Sequence, residues 1–288
     1  MNSVHPEWLT VTAPAGETME EVKQLLDHGG LHAVCESADC PNVAECFARR
    51  TCTFMILGNV CTRNCGFCAV EHGYPDDINP REPAEIAHAV RELNLKHVVI
   101  TTVTRDDLQD GGARQFVAVI RAIREASPRA IIEVLISDLK GRLIPLLDIV
   151  KAKPEIINHN METVPRLYKA VRPQACYGRS LEILQWAKQA GGRIITKSGM
   201  MLGLGETTEE VLGVMCDLRQ VGCNVLTLGQ YLSPSRNHVP VDRFVHPDEF
   251  KELERAGLEM GFMAVSAGPL VRSSYNADDV YSRISQCR

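Results

Sequence analysis

The cysteines Cys61, Cys65 and Cys68, here called the loop triplet, form a C-x3-C-x2-C pattern. Cysteine thiolates are the usual protein ligands of iron–sulfur clusters. Three thiolates around a four-iron cluster leave one iron without a protein ligand, and that iron is then open to a substrate or cofactor. A structural zinc site is the alternative, but it usually has four ligands in two close pairs, and no fourth ligand lies nearby at that spacing. The pattern therefore favours an iron–sulfur cluster.

A second set, Cys35, Cys40 and Cys46, here called the N-terminal triplet, has a C-x4-C-x5-C spacing that fits no common zinc finger. The turn residues Pro41 and Asn42 lie within it and predict a loop that wraps around a bound group. Three thiolates again make an incomplete set of ligands. Three unrelated buried thiols are the alternative, but such clustering in a reducing compartment favours metal binding.

Two further cysteines are interpreted as core residues. Cys52 stands just before the first predicted strand and is expected to be a small core residue. Cys216 shares a predicted helix with Val211, Leu212 and Met215, so its thiol is expected to face the core.

The composition excludes several classes of protein. Of the 288 residues, 45% are hydrophobic and 23% are charged, which is ordinary for a globular protein. The formal net charge of −5 gives no sign of a basic face for nucleic acid. No apolar run approaches the length of a membrane span, and the first residues lack the features of a secretion signal. We therefore expect a cytoplasmic protein that binds neither nucleic acid nor membrane and keeps its eleven cysteines reduced.

Apolar, β-rich runs alternate with helical patterns along most of the chain. Strands are predicted at 54–57, 97–101, 130–136, 156–159, 193–196 and 224–228, and helices at 83–93, 113–126, 143–151, 180–190, 209–221 and 248–260. Six βα units with right-handed crossovers predict an α/β fold, a partial (β/α)6 TIM-type barrel whose open site is covered by extensions at both termini. A doubly wound sheet is the alternative, but it needs a glycine-rich phosphate loop where the cysteines stand. The predicted domains are an N-terminal extension at 1–52, the partial barrel at 53–260 and a C-terminal extension at 261–288.

Polar residues follow five of the six predicted strands, at the carboxyl ends where barrel enzymes build their sites. Asn160 and Glu162 follow the fourth strand, and Lys197 follows the fifth. The loop triplet follows the first strand. We therefore expect these side chains to share one site, with the N-terminal triplet facing the loop triplet across the mouth of the barrel.

The segment Arg272-Ser273-Ser274-Tyr275 lies in the predicted C-terminal extension. Hydroxyl side chains are common in turns, and a turn is the simplest interpretation. Next to the N-terminal triplet, however, a serine hydroxyl would supply the missing ligand. A serine oxygen is harder than a thiolate, so it is expected to bind iron more labilely.

The order of these motifs resembles the lipoyl synthase family of radical S-adenosylmethionine (radical SAM) enzymes over nearly the whole chain. That family carries both cysteine motifs and a C-terminal Arg-Ser-Ser-Tyr motif. Further matches are Arg105-Asp106-Asp107-Leu108 with Asp110-Gly111-Gly112, residues 158–163 and residues 229–235. No motif departs from the family pattern.

The resemblance implies an enzyme with two 4Fe–4S clusters and S-adenosylmethionine. The cluster on the loop triplet would pass an electron to S-adenosylmethionine, and the resulting 5′-deoxyadenosyl radical would take hydrogen from an octanoyl chain on a carrier lysine. The cluster on the N-terminal triplet and Ser274 would insert two sulfur atoms, at carbons 6 and 8, and would be consumed. A cluster that is dismantled benefits from one weak ligand, and Ser273 is the alternative to Ser274.

Residues 158–163 are also similar to a stretch in biotin synthase. By that similarity Asn160 and Glu162 would contact the ribose and methionyl parts of S-adenosylmethionine. Arg179 would pair with the carboxylate of the cofactor, a role that suits a guanidinium. Lys197 is a further candidate for binding the same cofactor.

The implied partners are octanoylated lipoyl carrier domains of 2-oxoacid dehydrogenase E2 components and the glycine cleavage H protein. An electron donor such as ferredoxin or flavodoxin and an iron–sulfur cluster carrier are also implied. One alternative is another radical SAM enzyme, such as a methylthiotransferase or biotin synthase, although the latter places its second set of ligands inside the barrel strands. The other is a non-enzymatic iron–sulfur carrier, which would give its cluster four protein ligands and need no large barrel.

Overall fold

A computed structural model describes residues 6–10, 17–38, 40–49 and 51–286. Within these ranges no helix is both long and apolar enough to cross a membrane. Residues 1–5, 11–16, 39 and 50 of the predicted N-terminal extension lie outside the described residues.

One eight-stranded sheet forms the centre of the fold, and its strand order follows the chain. The strands are β1 (His32–Ala33), β2 (Thr53–Ile56), β3 (His97–Thr102), β4 (Ile131–Leu135), β5 (Ile156–Asn158), β6 (Ile195–Leu202), β7 (Val225–Gln230) and β8 (Ala264–Gly268). Strands β2 to β8 pair in parallel, whereas β1 runs antiparallel to β2. The described β1 and β8 do not pair with each other, so the sheet forms an open barrel. The predicted partial TIM-type barrel is confirmed.

Helices pack around the barrel. They are α1 (Glu17–Gly29), α2 (Val34–Ser37), α3 (Val43–Ala48), α4 (Glu82–Glu92), α5 (Ala113–Ala126), α6 (Leu143–Lys151), α7 (Tyr168–Val171), α8 (Tyr177–Gly191), α9 (Thr208–Gln220), α10 (Pro247–Glu259) and α11 (Ala277–Gln286). The six predicted helices correspond to α4, α5, α6, α8, α9 and α10. Their apolar faces are buried, as for Phe116 of α5 and Phe250 of α10, and this burial supplies most of the driving force for folding.

β6 is longer than the sequence predicts, and β1 and β8 are not predicted. β6 continues to Leu202 instead of ending at residue 196, because the buried Lys197 and Ser198 find polar partners inside the protein. The sequence does not predict β8, which is rich in alanine, glycine and serine and therefore has low β propensity. β8 extends the parallel sheet into the segment assigned to the C-terminal extension.

Two members of the N-terminal triplet lie on short helices, and Cys40 lies in the connection between these helices, next to the predicted turn at Pro41 and Asn42. α2 carries Cys35, and α3 carries Cys46. Because β1 is antiparallel to β2, with Ala33 opposite Phe54, the chain moves toward the amino end of β2 as it leaves β1. The pairing direction of β1 therefore brings Cys35 to the amino end of the barrel.

The tail after β8 runs from one end of the barrel to the other. It leaves the carboxyl end of β8 at Gly268, and Ile284 of α11 is buried against the first residues of β5, β6 and β7. Residues 269–276 connect these two points along the N-terminal extension. Asn42 Nδ2, for example, donates a hydrogen bond to the carbonyl oxygen of Leu270 at 2.7 Å.

Candidate iron–sulfur and cofactor site

The loop triplet is held at the carboxyl end of β2 by backbone hydrogen bonds to neighbouring loops. The Thr62 amide donates to the Thr104 carbonyl at 2.9 Å, and the Gly66 amide donates to the Val171 carbonyl at 2.9 Å. A Cβ at Gly66 would lie 2.9 Å from Val239 Cγ2. The loop is therefore compact and fixed on several sides.

The thiols of the loop triplet are half-buried and poorly suited to exist as free thiolates. Burial raises the pKa of Cys65, and it raises the pKa of Cys68 to about 12. Cys61 Sγ accepts hydrogen bonds from the backbone amides of Arg63 at 3.4 Å and Thr104 at 3.2 Å. Iron would supply the positive charge that stabilises these thiolates, and N–H···S bonds tune such clusters. The donor set fits a cluster.

A buried ion-pair network anchors the same loop from within. Arg63 Nε lies 2.7 Å from Asp106 Oδ2, and Arg63 Nη2 lies 2.6 Å from Asp138 Oδ1. Asp138 Oδ2 is also 3.1 Å from Nη1 of Arg179. Although burial alone would raise the pKa of Asp138, the Arg63 guanidinium lowers it to about 2. Arg179 therefore lies on a network that reaches the cysteine loop, and its contact with S-adenosylmethionine stays a prediction.

Replacing Asp138 by Asn is expected to lower the free energy of unfolding by about 3 kcal/mol, because Arg63 then loses a buried partner. The folded-state pKa of Asp138, about 2, lies below its ordinary value of 3.8. The carboxylate therefore stabilises the fold fully above about pH 4, and this contribution is lost as the pH falls from about 4 to 2. The free energies of unfolding of the unmodified chain and of the Asp138→Asn variant are measured with urea. They should differ by a constant amount above about pH 5 and by a smaller amount below about pH 4.

Asp148→Asn is the control, because Asp148 pairs with Lys151 on the surface of α6 and its side chain is 49% exposed. An exposed pair of this kind is worth less than about 0.5 kcal/mol. Equal losses from the Asp138 and Asp148 variants, or a difference that does not change with pH, would contradict the assignment.

Asn160 and Glu162 follow β5 at the carboxyl end of the barrel, as predicted. Asn160 Nδ2 donates to Ser273 Oγ at 2.7 Å, and Asn160 Oδ1 is buried with no hydrogen-bond partner among the described residues. A Cβ at Gly199 would lie 2.9 Å from both Asn160 Oδ1 and Ser273 Oγ. Burial is the largest cause of the raised pKa of Cys65 and Cys68, and the negative charge of Glu162 raises the pKa of both thiols further. Asn160 and Glu162 therefore lie between the loop triplet and the tail. Asn160 Oδ1 is the acceptor that remains available to a ligand.

Lys197 lies inside the barrel. Its Nζ is 2.8 Å from Glu133 Oε1, and the two side chains are 2% and 0% exposed. His97 Nε2 and Asn158 Nδ2 contact the same carboxylate. Burial alone would raise the pKa of Glu133, but the charge of Lys197 contributes most to lowering it to about 2. Lys197 thus neutralises Glu133, and its contact with S-adenosylmethionine stays a prediction that this geometry does not support.

The N-terminal triplet lines a cavity of about 360 Å³ beside the amino ends of β2 and β3. Other residues in its wall are Cys52, Thr53, His97, Arg272 and Ser274. Burial raises the pKa of Cys35 to about 11, and burial with the neighbouring thiols raises the pKa of Cys46 to about 12. No three His, Cys, Asp or Glu side chains of the described residues are grouped to hold a single metal ion, which a zinc site requires.

The two adjacent serines of the tail contact different sites. Ser274 lines the cavity of the N-terminal triplet, and its Oγ accepts a hydrogen bond from Thr53 Oγ1 at 2.8 Å. Ser273 Oγ instead accepts from Asn160. The following residue, Tyr275, donates from its hydroxyl to Glu45 Oε1 at 3.1 Å and so fastens the tail to α3. This geometry favours Ser274 over Ser273 as the oxygen ligand.

Two cysteines outside the triplets depart from expectation. Cys52 is buried, as expected, but it lines the same cavity, where Cys35 and Cys46 add to burial in raising its pKa. It is therefore a second candidate for the fourth ligand. The expectation that Cys216 faces the core is wrong, because its side chain is exposed on α9. The buried Met215 precedes it, and adjacent residues of a helix point about 100° apart.

The two triplets lie at different ends of the barrel and do not face each other across its mouth. The loop triplet follows the carboxyl end of β2, whereas the N-terminal triplet lies beside Thr53, the first residue of β2. The hydrogen bond between Asn160 and Ser273 connects the carboxyl end of β5 to the tail that carries Ser274. The antiparallel direction of β1 explains the difference, since it carries the N-terminal triplet away from the mouth.

Three residues that shape the site are not identified by sequence reasoning. Thr53 looks like an ordinary strand residue, and Asp138 follows β4 without any motif. For Arg63 a signal exists, because an arginine between two cysteines of a compact loop needs a carboxylate partner if it is buried. The identity of that partner has no local signal.

Residues 55–218 match the model of the radical SAM superfamily. Lipoyl synthase of Rubrobacter xylanophilus is 53% identical over 274 residues, which cover 95% of this chain and 85% of the relative. Lipoyl synthase of Caldicellulosiruptor saccharolyticus is 50% identical over 279 residues, which cover 97% and 98%.

Two solved structures share the fold. Methylornithine synthase has a TM-score of 0.58 at 14% identity, covering 95% of this chain and 93% of its own. An FeFe-hydrogenase maturase from Carboxydothermus hydrogenoformans has a TM-score of 0.58 at 18% identity, covering 94% and 78%. Since the sequence relatives are at least half identical over nearly the whole chain, the chain belongs to the lipoyl synthase family of the radical SAM superfamily.

Proposed function

We propose that this chain inserts two sulfur atoms, at carbons 6 and 8, into an octanoyl chain that is amide-linked to a lysine of a lipoyl carrier domain. The reaction uses S-adenosylmethionine and two 4Fe–4S clusters, and the second cluster is the sulfur donor. Membership of the lipoyl synthase family supports the reaction. The observation that supports the two-cluster assignment is the pair of adjacent serines: Ser274 lines the cavity of the N-terminal triplet, whereas Ser273 accepts a hydrogen bond from Asn160.

The first site comprises Cys61, Cys65 and Cys68, with Asn160, Glu162 and Arg179 toward the cofactor. When bound, the first cluster and S-adenosylmethionine supply a radical that removes hydrogen, and the second cluster supplies sulfide. The unpartnered Oδ1 of Asn160 would accept a hydrogen bond from a ribose hydroxyl, and the Glu162 carboxylate would attract the positively charged part of the cofactor. Arg179, which pairs with Asp138 here, would bind the cofactor carboxylate, since a guanidinium has several donors.

The second site comprises the N-terminal triplet and Ser274, in the cavity beside the amino end of β2. Three soft thiolates hold the iron firmly, and one hard oxygen gives a ligand that leaves more easily. Residues 1–52 supply the thiolates, residues 53–260 supply the radical site, and residues 261–288 supply the serine, while β1 and β8 of the two flanking segments complete the sheet. For both sites to act on one octanoyl chain, that chain would have to extend along the barrel between them.

The partners that follow from this reaction are octanoylated carrier domains, namely those of 2-oxoacid dehydrogenase E2 components and the glycine cleavage H protein. A low-potential donor such as ferredoxin or flavodoxin reduces the first cluster, and an iron–sulfur carrier rebuilds the second. Free thiolate ligands require a reducing compartment, and we propose the cytoplasm.

The test is to reconstitute the chain anaerobically and to supply S-adenosylmethionine, a chemical reductant and an octanoyl-lysine peptide. We expect about eight iron and eight sulfide per chain, the content of two 4Fe–4S clusters. Mass spectrometry should then detect two sulfur atoms added to the peptide. A product with a methylthio group would indicate a methylthiotransferase, and a clustered chain that does not bind S-adenosylmethionine would indicate an iron–sulfur carrier.

Replacing Ser274 by Cys is expected to stabilise the second cluster and to slow sulfur insertion by about tenfold, because a thiolate binds iron more strongly than a serine oxygen. Insertion rate and iron release to a chelator should fall together. Ser282→Cys is the control, since Ser282 is exposed on α11 and its hydroxyl donates to the Asp278 carbonyl of the same helix. Normal turnover with Ser274→Cys would contradict the serine assignment.

A further inference from the structure

Thr53 contacts two of the proposed ligands of the second site. It is the first residue of β2, is 3% exposed and lies in the wall of the cavity. Its Oγ1 donates a hydrogen bond to Ser274 Oγ at 2.8 Å. Its backbone amide interacts with the Cys35 thiol. One barrel residue thus joins a ligand from the N-terminal extension to a ligand from the tail.

We propose that Thr53 is a positioning residue that holds Ser274 Oγ at the iron site, an inference that rests on the proposed function. A serine that ligates iron has lost its proton, so its oxygen can only accept hydrogen bonds. The Thr53 hydroxyl is the donor that the described structure offers to this oxygen. A hydrogen bond to an ionised oxygen is stronger than one between neutral groups, so Thr53 stabilises the ligating form of Ser274.

The same contact explains how one of two adjacent serines is selected. Ser273 is held on Asn160, whereas Ser274 is held on Thr53. Thr53 suits this role because a β-branched side chain has few accessible rotamers, and its position at the start of a paired strand fixes its backbone. The Thr53 hydroxyl therefore has one preferred direction, and its hydrogen bond orients the side chain of Ser274.

The experiment uses the full chain with Cys61, Cys65 and Cys68 all replaced by Ala, so that a cluster forms only at the second site. The chain is reconstituted anaerobically with iron-57 and sulfide. Iron release to excess EDTA and the Mössbauer spectrum of the oxygen-ligated iron are then measured. Thr53→Val, which keeps the branched shape and removes the hydroxyl, is compared with Thr53→Ser, Ser274→Ala and the unmodified site. Thr101→Val, at another buried threonine whose hydroxyl bonds to the Leu135 carbonyl, is the control.

Thr53→Val should release iron about tenfold faster and should alter the Mössbauer signal of the oxygen-ligated iron, since such outer contacts typically change metal affinity by about 10–100-fold. Thr53→Ser should restore both properties to within about twofold, and Thr101→Val should leave them unchanged. Thr53→Val combined with Ser274→Ala should release iron no faster than Ser274→Ala alone, because the two residues act through one contact. Thr53→Ala provides a second hydroxyl-free variant if the valine disturbs folding.

The outcomes separate this inference from the proposed function. If Ser274→Ala releases iron faster but Thr53→Val does not, the role of Thr53 is overturned and the ligand set stands. If Thr53→Ser behaves like Thr53→Val, or if Thr101→Val has the same effect, the hydroxyl contact is not responsible and the inference fails. If Ser274→Ala behaves like the unmodified site, the serine ligand itself is wrong and the role of Thr53 falls with it.

Discussion

Replacing any one of Cys61, Cys65 and Cys68 by Ala is expected to abolish reductive cleavage of S-adenosylmethionine, with a loss of about 10³-fold or more. A loss of that size corresponds to about 4 kcal/mol of activation free energy. The three thiolates hold one cluster, so each single variant should lose about as much as the triple variant. The measurement is the formation of 5′-deoxyadenosine and methionine under anaerobic conditions with a chemical reductant.

Cys216→Ala is the control for general effects of removing a thiol, because Cys216 is exposed on α9 and belongs to neither site. It should cleave S-adenosylmethionine at the unmodified rate. Cleavage retained in a loop-triplet variant would refute the assignment of an open iron there, whatever the effect of that variant on sulfur insertion.

Replacing Cys35, Cys40 or Cys46 by Ala is expected to separate the two half-reactions. Cleavage of S-adenosylmethionine should stay within about threefold of normal, since the loop triplet is at the other end of β2, whereas formation of the lipoyl product should stop. Iron content should fall from about eight to about four per chain as one 4Fe–4S cluster is lost. Iron analysis, 5′-deoxyadenosine formation and mass spectrometry of the octanoyl peptide measure the three quantities on one sample.

Cys52→Ala is the sharpest control for that experiment, because Cys52 lines the same cavity without belonging to the triplet. With Ser274 as the fourth ligand, the Cys52 variant should keep its iron and its product. If the Cys52 variant instead loses iron and product while Ser274→Ala keeps both, the fourth ligand is Cys52 and not Ser274. Lipoyl product from a variant of the N-terminal triplet would overturn its role as sulfur donor.

Much of the barrel follows from the pattern of apolar residues. Strands such as β3 and β4 are rich in valine and isoleucine, as expected for a parallel sheet buried on both faces, although β4 also contains the buried Glu133. β8 has small residues that pack without giving a periodic signal, and β1 has only two residues. Lys197 interrupts the apolar pattern of β6. It can be buried there because Glu133 neutralises its charge, and Glu133 lies far away in the sequence.

The candidate site was predictable where ligand spacing is local and not where it depends on tertiary contacts. The two triplets are visible as spacings, and Asn160 and Glu162 as residues after a strand. Ser273 and Ser274 cannot be told apart in the sequence, because adjacent residues differ only in the direction of their side chains. The distance between the triplets along the barrel depends on the direction of β1, a two-residue strand that no pattern indicates.

The long sequence separation across the second cavity has a consequence for how the protein matures. Thr53 and Ser274 are 221 residues apart, and Glu45 and Tyr275 are 230 apart. During translation the cysteines of the second site leave the ribosome near the start and their serine near the end, and contacts between distant segments form slowly. The parallel strands can assemble before the tail arrives, so cluster delivery to the second cavity is expected to be among the last steps of maturation.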